Sequence, residues 1–210
     1  MAAVRLHSLQ AWLREFAKLI AENKDYLTQL DSAIGDADHG INMDRGMRAV
    51  VTVLDNEEFA RVADLFNKVG MTLVSSVGGA AGPLYGTYFL RFGINAGDVA
   101  ELNAARLGEA FLAGLEGVVA RGKPEPGDKT MFDAMAPATS AYNAAIDSGH
   151  ELAGALQQAR AAAEQGRDDT IPMLAKKGRA SYLGERSIGH QDPGATSTAL
   201  LFAAAAAALP

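Results

Sequence analysis

Three aspartates, Asp31, Asp36 and Asp38, stand close together in the stretch LDSAIGDADHGINMDRG. Asp36 and Asp38 are two residues apart, so in extended backbone their carboxylates project to one side, and Asp31 can converge on them. Hard cations such as Mg²⁺ take a few carboxylate oxygens and complete an octahedron with water and substrate phosphates, which suits a cluster of this size. Two ions can share such a cluster. The same residues also suit a plain Asp/Gly turn ahead of a helix capped near Asn42. An EF-hand starting at Asp36 is excluded, because that loop needs Gly at its sixth position and Glu at its twelfth, and Ile41 and Met47 stand there.

Other phosphate-binding patterns fail on inspection. Gly117 to Lys123 has P-loop spacing, but Pro124 replaces the hydroxyl that would hold the metal and the preceding residues read as helix. Val77-Gly78-Gly79-Ala80-Ala81-Gly82 lacks the first glycine of a dinucleotide fingerprint, which would also demand a parallel sheet. Many of the 22 glycines nevertheless gather in a few joints: 35–46, 78–86, 122–127 and 178–194. Glycine lets bare backbone N–H groups approach an anion, although tight turning alone explains such joints equally well. The segment from Lys176 to Arg186 holds Lys176, Lys177, Arg179 and Arg186. Arg179 can clamp a phosphate and Asp192 can meet a ribose or base edge, yet a solvated loop with Asp192 as N-cap reads as well. His39 and His190 can hydrogen-bond a phosphate or simply lie on the surface, and the Met131 thioether offers a flat surface to an adenine ring or simply joins the core.

The elements that must carry these groups read as helices. Apolar residues recur at helical spacing in Leu9–Ile20 behind Ser8, in Met43–Leu54, and in Phe59–Leu73 behind Asn56-Glu57-Glu58. Pro83 suits the first turn of a fourth helix. Phe111, Leu115 and Val118 mark a fifth; Asp128 can cap a sixth carrying Met131 and Met135; Leu152–Ala163 forms a seventh, and the last starts at Asp192-Pro193. No sustained two-residue alternation appears and the connections are short, so the expectation is an all-α fold of antiparallel neighbours in one domain spanning 1–210.

Composition sets outer limits. With 49% apolar and 21% charged residues, the 210-residue chain can bury a sizeable core. A net charge of -6 with scattered Lys and Arg argues against nucleic acid and favours cations or backbone amides as phosphate partners. The absence of cysteine removes disulfides and thiolate chemistry. Neither the N-terminal residues nor the apolar run 199–210 reads as a signal peptide or membrane span, so a reducing cytoplasm is expected.

Taken together and in order, GDADHGINM, SSVGGAAGPLYGT, RGKPEPGDKTM and KKGRASYLGERSIGHQDPGATS closely resemble the L subunits of bacterial dihydroxyacetone kinases across essentially the whole chain. The resemblance implies an eight-helix antiparallel barrel with ADP and two Mg²⁺ ions at one end. It places the metal ligands on Asp31, Asp36 and Asp38. It places nucleotide contacts on His39, Gly40, Ile41, Asn42, Ala80, Ala81, Gly122, Met131, Arg179, Asp192, Pro193 and Gly194. It further implies that ADP stays bound, is phosphorylated by an M subunit of the phosphotransferase system, and serves dihydroxyacetone held on a K subunit. Two positions depart from the family's usual form: Ala81 where Ser is common, and Asp44 where an uncharged side chain is common. The rival expectations are a kinase subunit that exchanges ADP for free ATP, and a regulatory module read by a transcription factor.

Overall fold

The computed structural model describes residues 3–209, and these are all-helical apart from one two-residue pair of strands. Helix α1 (Leu6–Glu22) buries Leu9, Trp12, Leu13, Phe16 and Ile20 along one stripe. It begins two residues before Ser8, directly after strand β1 (Val4–Arg5), which pairs antiparallel with β2 (Glu101–Leu102). Strands this short show no alternation in sequence. At Asn23 the side-chain amide donates to Leu19 O at 2.8 Å, competing with the helical ladder, and the chain restarts as α2 (Lys24–Ile34). This helix was absent from the expectation, yet it carries Asp31.

Helix α3 runs His39–Asn56 and α4 runs Val62–Ser76. Asn56 therefore ends one helix rather than capping the next, and Arg61 holds the N-cap position of α4. Helices α5 (Ala81–Ala96) and α6 (Ala104–Gly122) follow. Helix α7 (Phe132–Asp147) is not capped by Asp128, whose carboxylate instead closes a turn by accepting from Glu125 N at 2.8 Å. Asp133 serves the entry to α7, accepting from Gly127 N and Thr130 N. Helix α8 (Leu152–Asp169) leads through a 3-10 segment (Arg179–Ser187), broken at Gly184, into α9 (Pro193–Ala208). As expected, Pro193 opens α9 and the Asp192 carboxylate caps it, accepting from Ala195 N at 2.7 Å.

Nine α-helices and the 3-10 segment are thus described, where eight helices were expected; α2 is the addition. The other eight pack in sequence, α3 on α1, α4 on α3, and so on to α8, while α9 packs on both α8 and α1. Closure of that ring is possible because α9 is buried on nearly all sides, as its Ala-rich sequence permits. Four short or moderate connections, 57–61, 77–80, 97–103 and 123–131, join successive long helices, which makes the neighbours run antiparallel and sends alternate connections to opposite ends. No described helix is long and apolar enough to cross a membrane.

Candidate functional site

At one end of the ring, four helices begin around one cleft of about 570 Å³: the first residues of α3 and α9, the entry to α5 at Ala80-Ala81, and Met131 just before α7. Helices α3, α5, α7 and α9 share a direction, so four helix N-termini meet there. Each brings a partial positive charge, which offsets an acidic chain's repulsion of polyphosphate. Helix α5 has no side-chain cap at all, and Ala81 leaves its N–H groups uncovered.

The three aspartates converge as expected: one carboxylate oxygen from each lies within 4.8 Å of the others. Their route differs from the extended backbone envisaged. Ala37 adopts a left-handed conformation (φ 61), which turns the chain sharply between Asp36 and Asp38. Asp31 comes from the end of α2, and its Oδ2 accepts from the N–H groups of Asp38 at 2.8 Å and His39 at 3.1 Å. One carboxylate therefore ties α2 to the start of α3. The all-oxygen, partly exposed donor set is the kind that Mg²⁺ accepts while keeping water and phosphate ligands, so the residues fit that ion. Arg179 Nε pairs with Asp36 Oδ2 at 2.8 Å, bringing the 3-10 segment to the same point.

His39 Nε2 lies 3.0 Å from Ser197 Oγ. Ser197 Oγ donates to Gly194 O, so it accepts from His39 Nε2–H and from Tyr85 OH at 2.7 Å. The ring's Nδ1 remains the free nitrogen. Desolvation holds this imidazole below its ordinary pKa, outweighing the nearby Asp31 and Asp38. Asn42 is oriented by Arg45, which donates to Asn42 Oδ1 at 2.7 Å and to Ser76 O at 2.8 Å and so fastens the α4–α5 corner to α3. Asp192, enclosed beneath the cleft, has its pKa pushed up to about 7 by burial, with Asp133 and Asp31 adding to the rise.

Most of the expected nucleotide residues line the cleft: His39, Asn42, Ala80, Ala81, Gly122, Met131, Arg179, Asp192, Pro193 and Gly194. Gly40 and Ile41 do not. Because α3 already starts at His39, each residue turns by about 100°, which sends Gly40 against α2, where a Cβ would overlap Lys24 O, and Ile41 into solvent. His190 is exposed and outside the cleft, and Asp44 is held by Arg48 at 3.0 Å away from it. Tyr85, Ser197, Lys129 and Thr130 were not anticipated. Tyr85 and Ser197 look like ordinary core and helix residues in sequence, and only the KPEPGDKTM run hinted at Lys129.

A family model for the DAK2 domain matches residues 33–207, which hold Asp36, Asp38 and every other segment of the cleft, with Asp31 just ahead of the matched span. The chain belongs to the DAK2 domain family. Among related DAK2 proteins, the Escherichia coli ADP-binding subunit DhaL of PEP-dependent dihydroxyacetone kinase is 46% identical, over 89% of each chain. A counterpart from Listeria innocua is 47% identical over 91% of this chain and 90% of its own. The crystal structure of the C. freundii dihydroxyacetone kinase in complex with AMP-PNP and Mg²⁺ superposes with a TM-score of 0.73 at 26% identity. The match covers 94% of this DAK2 chain but only 33% of that longer one.

Proposed function

We propose that this chain is the ADP-binding subunit of a PEP-dependent dihydroxyacetone kinase in the cytoplasm. In this reading a phosphoryl group enters from an M subunit of the phosphotransferase system and leaves to dihydroxyacetone held on a K subunit. The observation that carries the reading is the meeting of three carboxylates with four helix N-termini in one cleft. Its counterpart in sequence is the identity, near one half, to whole DhaL subunits.

Asp31, Asp36 and Asp38 would hold two Mg²⁺ ions, which supply positive charge to the phosphates during transfer. Asp31 Oδ2 is already engaged by two backbone N–H groups, which keeps its carboxylate aimed as the other two arrive. Ala80 and Ala81 line the cleft at a helix start without a side-chain cap, and their N–H groups would bind phosphate oxygens. Leu84, Val118 and Met131 supply an apolar wall for a nucleobase. Arg179 would move from Asp36 to phosphate once cations replace it as the carboxylate's partner. No general base is assigned, because transfer of this kind rests on position and charge.

The test is nucleotide retention. Purified protein is expected to carry ADP through gel filtration in Mg²⁺ and to lose it in EDTA. Asp38→Ala, whose side chain caps no helix, is expected to keep its helical circular dichroism and bind Mg-ADP at least tenfold more weakly by calorimetry. Unchanged affinity in that variant sinks the metal assignment. A second reading, exchange with free ATP, is favoured by the AMP-PNP complex of the C. freundii relative. Release of ADP within seconds would decide for it over a resident coenzyme.

A further inference from the structure

Lys129 is almost fully buried, at 1% exposure, although it lies on the wall of the cleft. A lysine next to a phosphate site ordinarily suggests a direct anion contact. Here the geometry excludes it. The ammonium group has three N–H donors, and its three partners are backbone carbonyls: Ser187 O at 2.6 Å, Met173 O at 3.0 Å and Ile171 O at 3.4 Å. No donor is left for a ligand.

Those carbonyls sit at the two ends of one excursion. Ile171 and Met173 lie where the chain leaves α8, and Ser187 lies where the 3-10 segment ends. Between them the chain carries Lys177, Gly178, Arg179 and Ala180 into the cleft. Other bonds close the same base: Ser187 Oγ accepts from Ala175 N at 3.0 Å and donates to Gly184 O, and Gly189 N donates to Ile171 O at 2.8 Å. Lys176 N donates to Asp128 O, the residue before the lysine. Lys129 itself stands at φ 62, a conformation an L-residue holds only when its surroundings over-determine it.

We propose that Lys129 is a positioning residue that staples the base of the 170–189 excursion and so fixes Arg179 over the aspartate cluster. The inference rests on the nucleotide reading for what Arg179 does, but the staple itself is a property of the protein alone. Burial lowers the lysine's pKa while Asp192 opposes that. Neutral Met in its place would fill the space and leave three carbonyls without partners.

Two measurements on Lys129→Met decide the matter. Hydrogen exchange of the ligand-free protein should show amides in 171–189 exchanging at least tenfold faster, with α4 to α6 unchanged. Mg-ADP affinity should fall, and in the Lys129→Met/Arg179→Ala double variant the loss should be no more than about twice that of Arg179→Ala alone. Unaltered exchange overturns the staple; so does faster exchange with unaltered affinity. Losses that multiply in the double variant overturn it in favour of direct ligand contact. If Lys129→Met fails to fold, Ser187→Ala, which removes two bonds at the same base, is judged by the same criteria. Wild-type protein that binds no Mg-ADP overturns the nucleotide reading and with it the role of the staple, even where exchange shows the excursion held.

Discussion

Asp192 shows how one residue serves two demands that conflict. Its carboxylate caps α9 through Ala195 N, yet burial raises its pKa from 3.8 to about 7. A folded-state pKa above the unfolded value means that the native protein binds the proton more tightly. Stability in the ligand-free state therefore falls as pH rises from 3.8 through about 7, and levels off above. Asn keeps the capping oxygen without the charge. Asp192→Asn should accordingly gain on wild type across that window in urea midpoints measured in EDTA, and parallel pH profiles would refute the burial effect. Residues of this kind were only half legible. The aspartates could be found because metal ligands must be oxygen-rich and close together, and Asp192 because a cap precedes proline. Ser197 and Tyr85 could not, since Ser197 lies 158 residues from His39 and 112 from Tyr85.

Helices were easier to read than their ends. Most of the eight expected helices were located by amphipathic stripes, because burial of one face is written at a spacing of three or four residues, and two by their starts at Pro83 and Asp192-Pro193. Helix α2 escaped because α1 and α2 meet at Asn23 with no Gly or Pro between them. Contacts between helices depend on smaller features. In α7, Pro137 has no N–H to offer Asp133 O, and Gly166 of α8 packs on that same carbonyl so closely that a Cβ would overlap it. Gly166→Ala should therefore force the pair apart, at a cost of about 1–3 kcal/mol. In a chain of this length that lowers Tm by several degrees, at roughly 2–4 °C per kcal/mol. Gly154→Ala, on the same helix, meets only the His150 side chain at 3.8 Å and should leave Tm unchanged or slightly higher. Equal effects of the two substitutions would remove the argument from close approach.

At the scale of the whole molecule, one indole joins most of the core. Trp12 of α1 packs against Phe66, Phe89, Phe92 and Phe111, with ring centroids 5.7 to 5.9 Å away, and its Nε1–H donates to Leu201 O of α9 at 3.0 Å. As the sequence has a single tryptophan, its fluorescence should change in one transition that coincides with loss of helical circular dichroism. Separate transitions would mean that the ring opens in parts. Nothing in local periodicity announces a contact between residues 189 positions apart, so closure of the ring was hidden even where each helix was plain. The alternation of the connections has a consequence for how the sequence can vary. The segments 57–61, 97–103 and 148–151 contribute nothing to the cleft wall, and 97–103 is committed to the strand pair. The turn at Gly149, where an added Cβ meets nothing within 4 Å, is under no such obligation. One pole of the molecule is thus held under chemical constraint while the other is permissive, a ready place to splice in an affinity handle or a fluorescent reporter without disturbing the chemistry.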